Sequence, residues 1–136
     1  MWSHEERIEI AASASRIWAL LSDVPGWKRW NAGIETIRIH GPFVAGTRFT
    51  MQPPGQEAFE SQLLDVRPGE VFTDETIIDG NRIVVHHRIK ALSEHRCQVT
   101  YATEIEGPDA EAFGPPVTGD FPDVLAALKQ LAESDD

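Results

Sequence analysis

The sequence predicts an α+β fold of seven antiparallel strands and a long C-terminal helix, with two short helices between strands 1 and 2. Three observations predict it. Residues 34–106 carry strand signals at hairpin-like intervals, separated by turns rich in Gly, Pro, Asn and Asp. After Gly107-Pro108 the period changes, and Val117, Phe121, Val124, Leu125, Leu128 and Leu131 form one helical stripe. Between an opening strand and the first hairpin, residues 13–31 hold a capped amphipathic segment, a Pro-Gly break and a pair of tryptophans.

The first strand is read from Glu5-Glu6-Arg7-Ile8-Glu9-Ile10, where Ile8 and Ile10 share one face and charges the other. Ser13 is placed to cap a helix in which Ile17, Leu20, Leu21 and Val24 recur at helical spacing. Pro25-Gly26 interrupts it, and Trp27-Lys28-Arg29-Trp30-Asn31 predicts a second helical turn with both tryptophans on one side. Strands follow at 34–40, 47–52, 58–66, 71–78, 82–90 and 97–106. Their connections are too short for crossovers, so the order is an antiparallel meander. Parity turns Ile83, Val85, His87 and Ile89 inward, and gives Cys97, Val99, Tyr101, Thr103 and Ile105 a common face.

Gly114-Pro115-Pro116 suits a helix entry, because a proline N–H is not needed in a first turn. Pro122 either starts a second segment capped by Asp120 or kinks one longer helix that begins near Pro115; the kink is the expectation. Residues 133–136 are expected to fray.

With 136 residues and no composition shift, one domain spanning 1–136 is expected. Cys97 is the single cysteine and the N-terminus is charged, so a cytoplasmic protein without internal disulfides is expected. No apolar run approaches the roughly 20 residues of a membrane span, so no membrane insertion is expected. Twenty-two acidic against twelve basic residues give a net charge of −10, which repels phosphate backbones and argues against a nucleic-acid partner. The histidines do not converge, since His86 and His87 face opposite ways, so neither a metal nor a cofactor is expected. Oligomeric state is open, a homodimer included.

The opening Ile10-Ala11-Ala12-Ser13-Ala14-Ser15-Arg16-Ile17-Trp18-Ala19-Leu20-Leu21-Ser22-Asp23, Trp27 and Trp30-Asn31, and Leu64-Asp65-Val66-Arg67-Pro68-Gly69 carry a resemblance. So do His87-Arg88, Glu104-Ile105-Glu106-Gly107 and the closing Pro122-Asp123-Val124-Leu125 segment. With these features the chain resembles the SRPBCC or START-like superfamily, the helix-grip fold, in its polyketide cyclase/dehydrase-like branch. The resemblance implies a curved seven-stranded sheet wrapped around the final helix, with an interior pocket between them used for lipids, polyketides and other hydrophobic molecules. Some such proteins only bind; those that catalyse place a few polar groups in a greasy cavity.

His87 is the candidate general base and Tyr101 the candidate acid or hydrogen-bond donor, each with a structural core role as the alternative. Asp74 and Glu75 are adjacent in a strand, so only one carboxylate points inward, and parity leaves open which. Trp27, Trp30, Asn31, Met51, Phe59, Phe72, Asp74, Val85, Val117 and Phe121 are the expected lining, with Trp30 and Asn31 at its mouth. The expected function is binding of a small hydrophobic ligand without catalysis. The alternatives are a polyketide cyclase or dehydratase using His87, and a protein-interaction module.

Overall fold

The computed structural model describes residues 1–134. Its elements run β1 (Trp2–Ile10), α1 (Ala14–Ser22), a 3-10 helix (Val24–Arg29), β2 (Thr36–Ile39), β3 (Arg48–Gln52), β4 (Phe59–Arg67), β5 (Val71–Ile78), β6 (Asn81–Ser93), β7 (Arg96–Glu106), α2 (Ala110–Thr118) and α3 (Phe121–Glu133). The seven strands form one antiparallel sheet in the order β1-β7-β6-β5-β4-β3-β2. β2 to β7 are a meander, and β1 closes onto β7, so the chain's two halves meet at that edge.

β1 reaches further back than its isoleucines suggest. Even-numbered residues from Trp2 to Ile10 are sheltered and odd-numbered ones exposed, and Trp2 pairs with Ile105. The alternation passes through His4 and Glu6, which pair with each other at 2.9 Å, so polar side chains masked a strand face. β2 is shorter than expected: Ile34 is buried but lies in the loop before it.

Curvature has local causes. Pairing shifts between Leu63 and Asp65 in β4 and between Ala91 and Ser93 in β6, and an extra residue bends a strand away from its partner. The β5–β6 turn is tight, with Asp79 and Gly80 both at positive φ (51° and 79°) between paired Ile78 and Asn81, the backbone that keeps two strands twisted together.

Ser13 caps α1 by accepting a hydrogen bond from the Arg16 N–H at 3.1 Å. Ile17, Leu20 and Leu21 face the sheet from it. The expected second turn is the 3-10 helix, whose Trp27 indole donates to the Leu21 carbonyl at 2.9 Å and so fixes the elbow.

The C-terminal helical region runs from Ala110 to Glu133 as two segments. Gly119 and Asp120 between them keep right-handed helical angles, so the path stays helical; Pro122 lacks the N–H that would continue the ladder. The start lies earlier than the expected Pro115, which falls inside α2 together with Pro116. Two contacts set that start. Asn81, fully buried, donates to Asp109 Oδ2 at 3.2 Å and accepts from the Asp109 N–H at 2.8 Å, pinning the loop before α2 to the β5–β6 turn. A Cβ on Gly114 would come within 2.3 Å of the Trp2 ring, so only glycine lets α2 lie this close to β1. At the other end Glu133 is held rather than frayed, accepting from the Ala11 N–H at 2.8 Å and from Lys129 at 2.6 Å. Asp135 and Asp136 lie outside the described residues.

Two apolar clusters result. The larger joins Ile10, Ile17, Leu21, Leu63, Phe72, Val99, Leu125 and Leu128, all at or below 2% exposure. At about 1.5 to 3 kcal/mol for each fully buried large side chain, this cluster is the main source of stability. The smaller is Ile83, Ile105 and Ala110, with Trp2, Phe113 and Val117 against it.

Candidate functional site

Where the two clusters meet, the concave sheet and the C-terminal helices leave a cavity of about 550 Å³. That is within the roughly 300 to 1,000 Å³ of sites for small organic molecules. Phe49 and Met51 from β3, Phe59 from β4, Phe72 from β5, Val85 from β6 and Phe121 from α3 supply most of the apolar wall. The exposed lining residues Pro54, Gln56, Pro116 and Asp120, with Asn31 and Gly33, form the rim.

The polar groups of the wall gather at the middle of β5, β6 and β7. Phe72, Asp74 and Thr76 share the inward parity of β5, which settles the choice between the two acids: Asp74 faces the cavity, and Glu75 faces out to pair with Arg82. Register sets Phe72 opposite His87 and His87 opposite Tyr101. The His87 ring stacks on Phe72, with centroids 3.9 Å apart and planes at 8°, and meets the Tyr101 ring edge-on at 4.5 Å. Tyr101 in turn meets Phe121 edge-on at 5.4 Å, tying this row to α3.

Burial rather than pairing sets the protonation states. His87 Nε2 lies 4.0 Å from Asp74 Oδ2, too long for a hydrogen bond. Burial pushes the His87 imidazole down to about 3, against a smaller opposing pull from the Phe72 carbonyl. Burial also pushes the Asp74 carboxyl up to about 7. Around neutrality His87 is therefore uncharged and the contact is not an ion pair, whatever its distance suggests. An uncharged His87 with its Nδ1 3.2 Å from the Phe72 carbonyl is the tautomer that donates there, leaving the Nε2 lone pair toward Asp74. Burial, then the charges of Asp74 and Asp120, raise the Tyr101 hydroxyl, so it remains a donor. The Asp120 carboxyl is raised by its own partial burial and by Asp123. Thr76 and Ser61 satisfy each other at 2.6 Å across β5 and β4.

His86 projects from the opposite side of the sheet, with Thr73 Oγ1 3.0 Å from its Nδ1 and Glu104 beyond its Nε2 at 3.9 Å. Among the described residues no group of three or more His, Cys, Asp or Glu converges to hold a metal ion. Among the same residues no helix is long and apolar enough to cross a membrane.

The structure places Trp27, Trp30, Asn31, Met51, Phe59, Phe72, Asp74, Val85, His87, Tyr101, Val117 and Phe121 on the cavity wall. Phe43 stands behind it, edge-on to Phe72 at 5.2 Å. Reasoning from sequence overlooked Ser61, Thr76 and Asp120. The first two could have been found by extending parity from Phe59 and Asp74. Asp120 depends on where the helix breaks, which periodicity does not reveal.

A curved antiparallel sheet wrapped around C-terminal helices, with short helices between its first two strands, defines the helix-grip fold. The chain belongs to the family described as polyketide cyclase/dehydrase and lipid transport, which matches residues 1–133. It is similar in structure to norcoclaurine synthase from Thalictrum flavum, solved in complex with dopamine and hydroxybenzaldehyde (TM-score 0.77, 19% identity, 99% of this chain and 88% of that one). It is similar to the di-domain ARO/CYC protein BexL of the BE-7585A biosynthetic pathway (0.77, 16%, 96% and 46%). It is also similar to protein MLL2253 from Mesorhizobium loti (0.81, 16%, 99% and 99%). At these identities the likeness is one of fold. No curated protein matches the sequence.

Proposed function

We propose that the chain binds one small hydrophobic molecule in the cavity between sheet and helices. The observation that carries this is the cavity itself: about 550 Å³ of space walled by aromatic and aliphatic side chains between two buried apolar clusters. An interaction module working through its sheet edge would have no use for such a space, and a well-packed core carries few voids larger than a water molecule. The family's association with cyclases, dehydrases and lipid transport agrees with a ligand of this kind. The test is a panel of neutral aromatic and acyl molecules followed by melting temperature. A ligand at 100 times its Kd raises stability by about 2.7 kcal/mol, a shift of several degrees for a domain of this size. A panel without any shift would overturn the proposal.

A second reading, proton-transfer catalysis, is favoured by one observation: a carboxyl on the cavity wall with a pKa raised to about 7. A general acid or base works best when its pKa lies near the working pH. On that criterion the proton-transfer role falls to Asp74 rather than His87, which at about 3 is a feeble base. His87 would then hold the aromatic row in place, and the protonated Tyr101 would donate to a ligand oxygen that gains charge. Once a substrate is known, Asp74→Asn and His87→Phe separate the roles. The first should abolish turnover, and the second should leave the shape of the pH profile intact. Full turnover by the Asp74→Asn protein would reject this second reading and leave the first standing.

A further inference from the structure

We infer that the ligand of this cavity carries a basic amine on its apolar body and that ligands bearing a free carboxylate are excluded. This rests on the ligand-binding reading above and specifies the ligand's chemistry.

The charge of the wall is one-sided. Asp74 and Asp120 line the cavity, and no Lys or Arg does so among the described residues. A carboxylate brought inside would leave water without gaining a countercharge, beside a carboxyl that is itself largely ionised above neutrality. A protonated amine meets the opposite situation. The Asp74 carboxyl lies mid-wall with its side chain 13% exposed and has no hydrogen-bond partner among the described residues; His87 Nε2, the imidazole nitrogen facing it, is 4.0 Å away and uncharged. A carboxyl so sheltered lacks the donors that buried acids normally have. A ligand ammonium supplies both the donors and the charge, in the charge-assisted form that is roughly twice as strong as a neutral hydrogen bond.

Two further groups await a ligand. Tyr101 is 4% exposed, lines the cavity and has no hydrogen-bond partner for its hydroxyl among the described residues. The Trp30 indole N–H, also on a residue 4% exposed and part of the wall, is without a partner among the described residues. These donors suit a ligand hydroxyl or carbonyl elsewhere on the same molecule. The aromatic wall of Trp27, Phe49, Phe72 and Phe121 suits a flat ring as its body.

The titratable groups that face Asp74 are His87 from β6, Tyr101 from β7 and Asp120 from the α2–α3 junction; β4 contributes only the Ser61 hydroxyl. His87 and Tyr101 do not change charge between pH 6 and 8, since one is lowered and the other raised by burial. Asp74 is then the main group on the wall whose ionisation an amine senses in that range.

The test is calorimetric titration of the purified chain with three matched ligands: naphthylethylamine, naphthylethanol and naphthylpropionate. At pH 8 the amine should bind at least tenfold more tightly than the alcohol, and the carboxylate at least tenfold more weakly. Between pH 8 and pH 6 the amine should weaken about tenfold as Asp74 takes up its proton, with the alcohol unchanged. Asp74→Asn should bring amine and alcohol to equal affinity at both pH values. The unmodified protein's ranking and pH response decide the matter even if that variant does not fold. A carboxylate as tight as the alcohol, or an amine no tighter than it, would overturn the inference and leave the cavity a binding site. Binding of none of the three would overturn the binding reading itself.

Discussion

Replacing Asp74 with Asn keeps the shape of the side chain and removes its ability to ionise, so the difference between the two proteins isolates one titration. Folding moves this carboxyl from 3.8 to about 7. At about 1.4 kcal/mol per pH unit, that displacement costs the folded state about 4 kcal/mol once the pH exceeds 7. The sign follows from proton counts. Between about pH 4 and 7 the folded chain holds a proton at Asp74 that the unfolded chain releases, so stability falls as pH rises through that window. Below it both states are protonated and the cost vanishes. Urea denaturation of both proteins at pH 4.5, 6 and 8 should therefore show Asp74→Asn ahead by about 1, about 3 and about 4 kcal/mol in turn. Other carboxylates titrate alike in both proteins and cancel. A gap that does not change from pH 4.5 to 8, or a parent protein more stable at pH 8, would refute a sheltered, unpaired carboxyl.

His87 works in the opposite direction: it is lowered on folding from 6.5 to about 3, so it adds stability as pH rises through that range. The two effects offset each other between about pH 4 and 6.5, and His87→Phe should be ahead of the parent by about 3 kcal/mol at pH 4 but show no gain from this source at pH 8. Phe72→Ala, at a fully buried ring touching Trp27, Phe43 and His87, should cost about 3 to 5 kcal/mol in urea denaturation. Asn81→Ala should cost about 2 to 3 kcal/mol by stranding the buried turn and loop groups, and should speed amide exchange in α2 before the rest of the chain. Gly114→Ala should destabilise by about 1 to 3 kcal/mol despite alanine's better helix propensity, because its methyl group meets the Trp2 ring; a gain in melting temperature would contradict that contact.

Most of the fold was legible in sequence because period-two alternation survives wherever one sheet face is buried. The parity that turns His87 and Tyr101 inward needed only the order of residues. What stayed hidden depends on contacts between distant segments. Trp2 was unreadable as part of β1 because its partner Ile105 and the notch at Gly114 lie more than a hundred residues away. The entry to α2 was misplaced because Pro115 is a local signal, whereas Asn81 holds the loop before α2 across the fold. The choice between Asp74 and Glu75 was likewise beyond counting, since a strand has two faces and only the Arg82 pairing and the cavity tell them apart. Site chemistry was the least legible part: His87 read as the base, but burial, which sequence does not reveal, moves neutral-pH titration to Asp74.

The most direct test of a ligand-binding cavity is fluorescence titration with the neutral probe N-phenyl-1-naphthylamine, comparing the parent chain with Val85→Trp. Val85 lies on the wall, and an indole there occupies the space the probe needs. Saturable enhancement with the parent, accompanied by a change in Trp27 and Trp30 emission and lost in a folded Val85→Trp protein, is the predicted result. Equal enhancement by both proteins, or none by the parent, would contradict a ligand held between the sheet and the C-terminal helices.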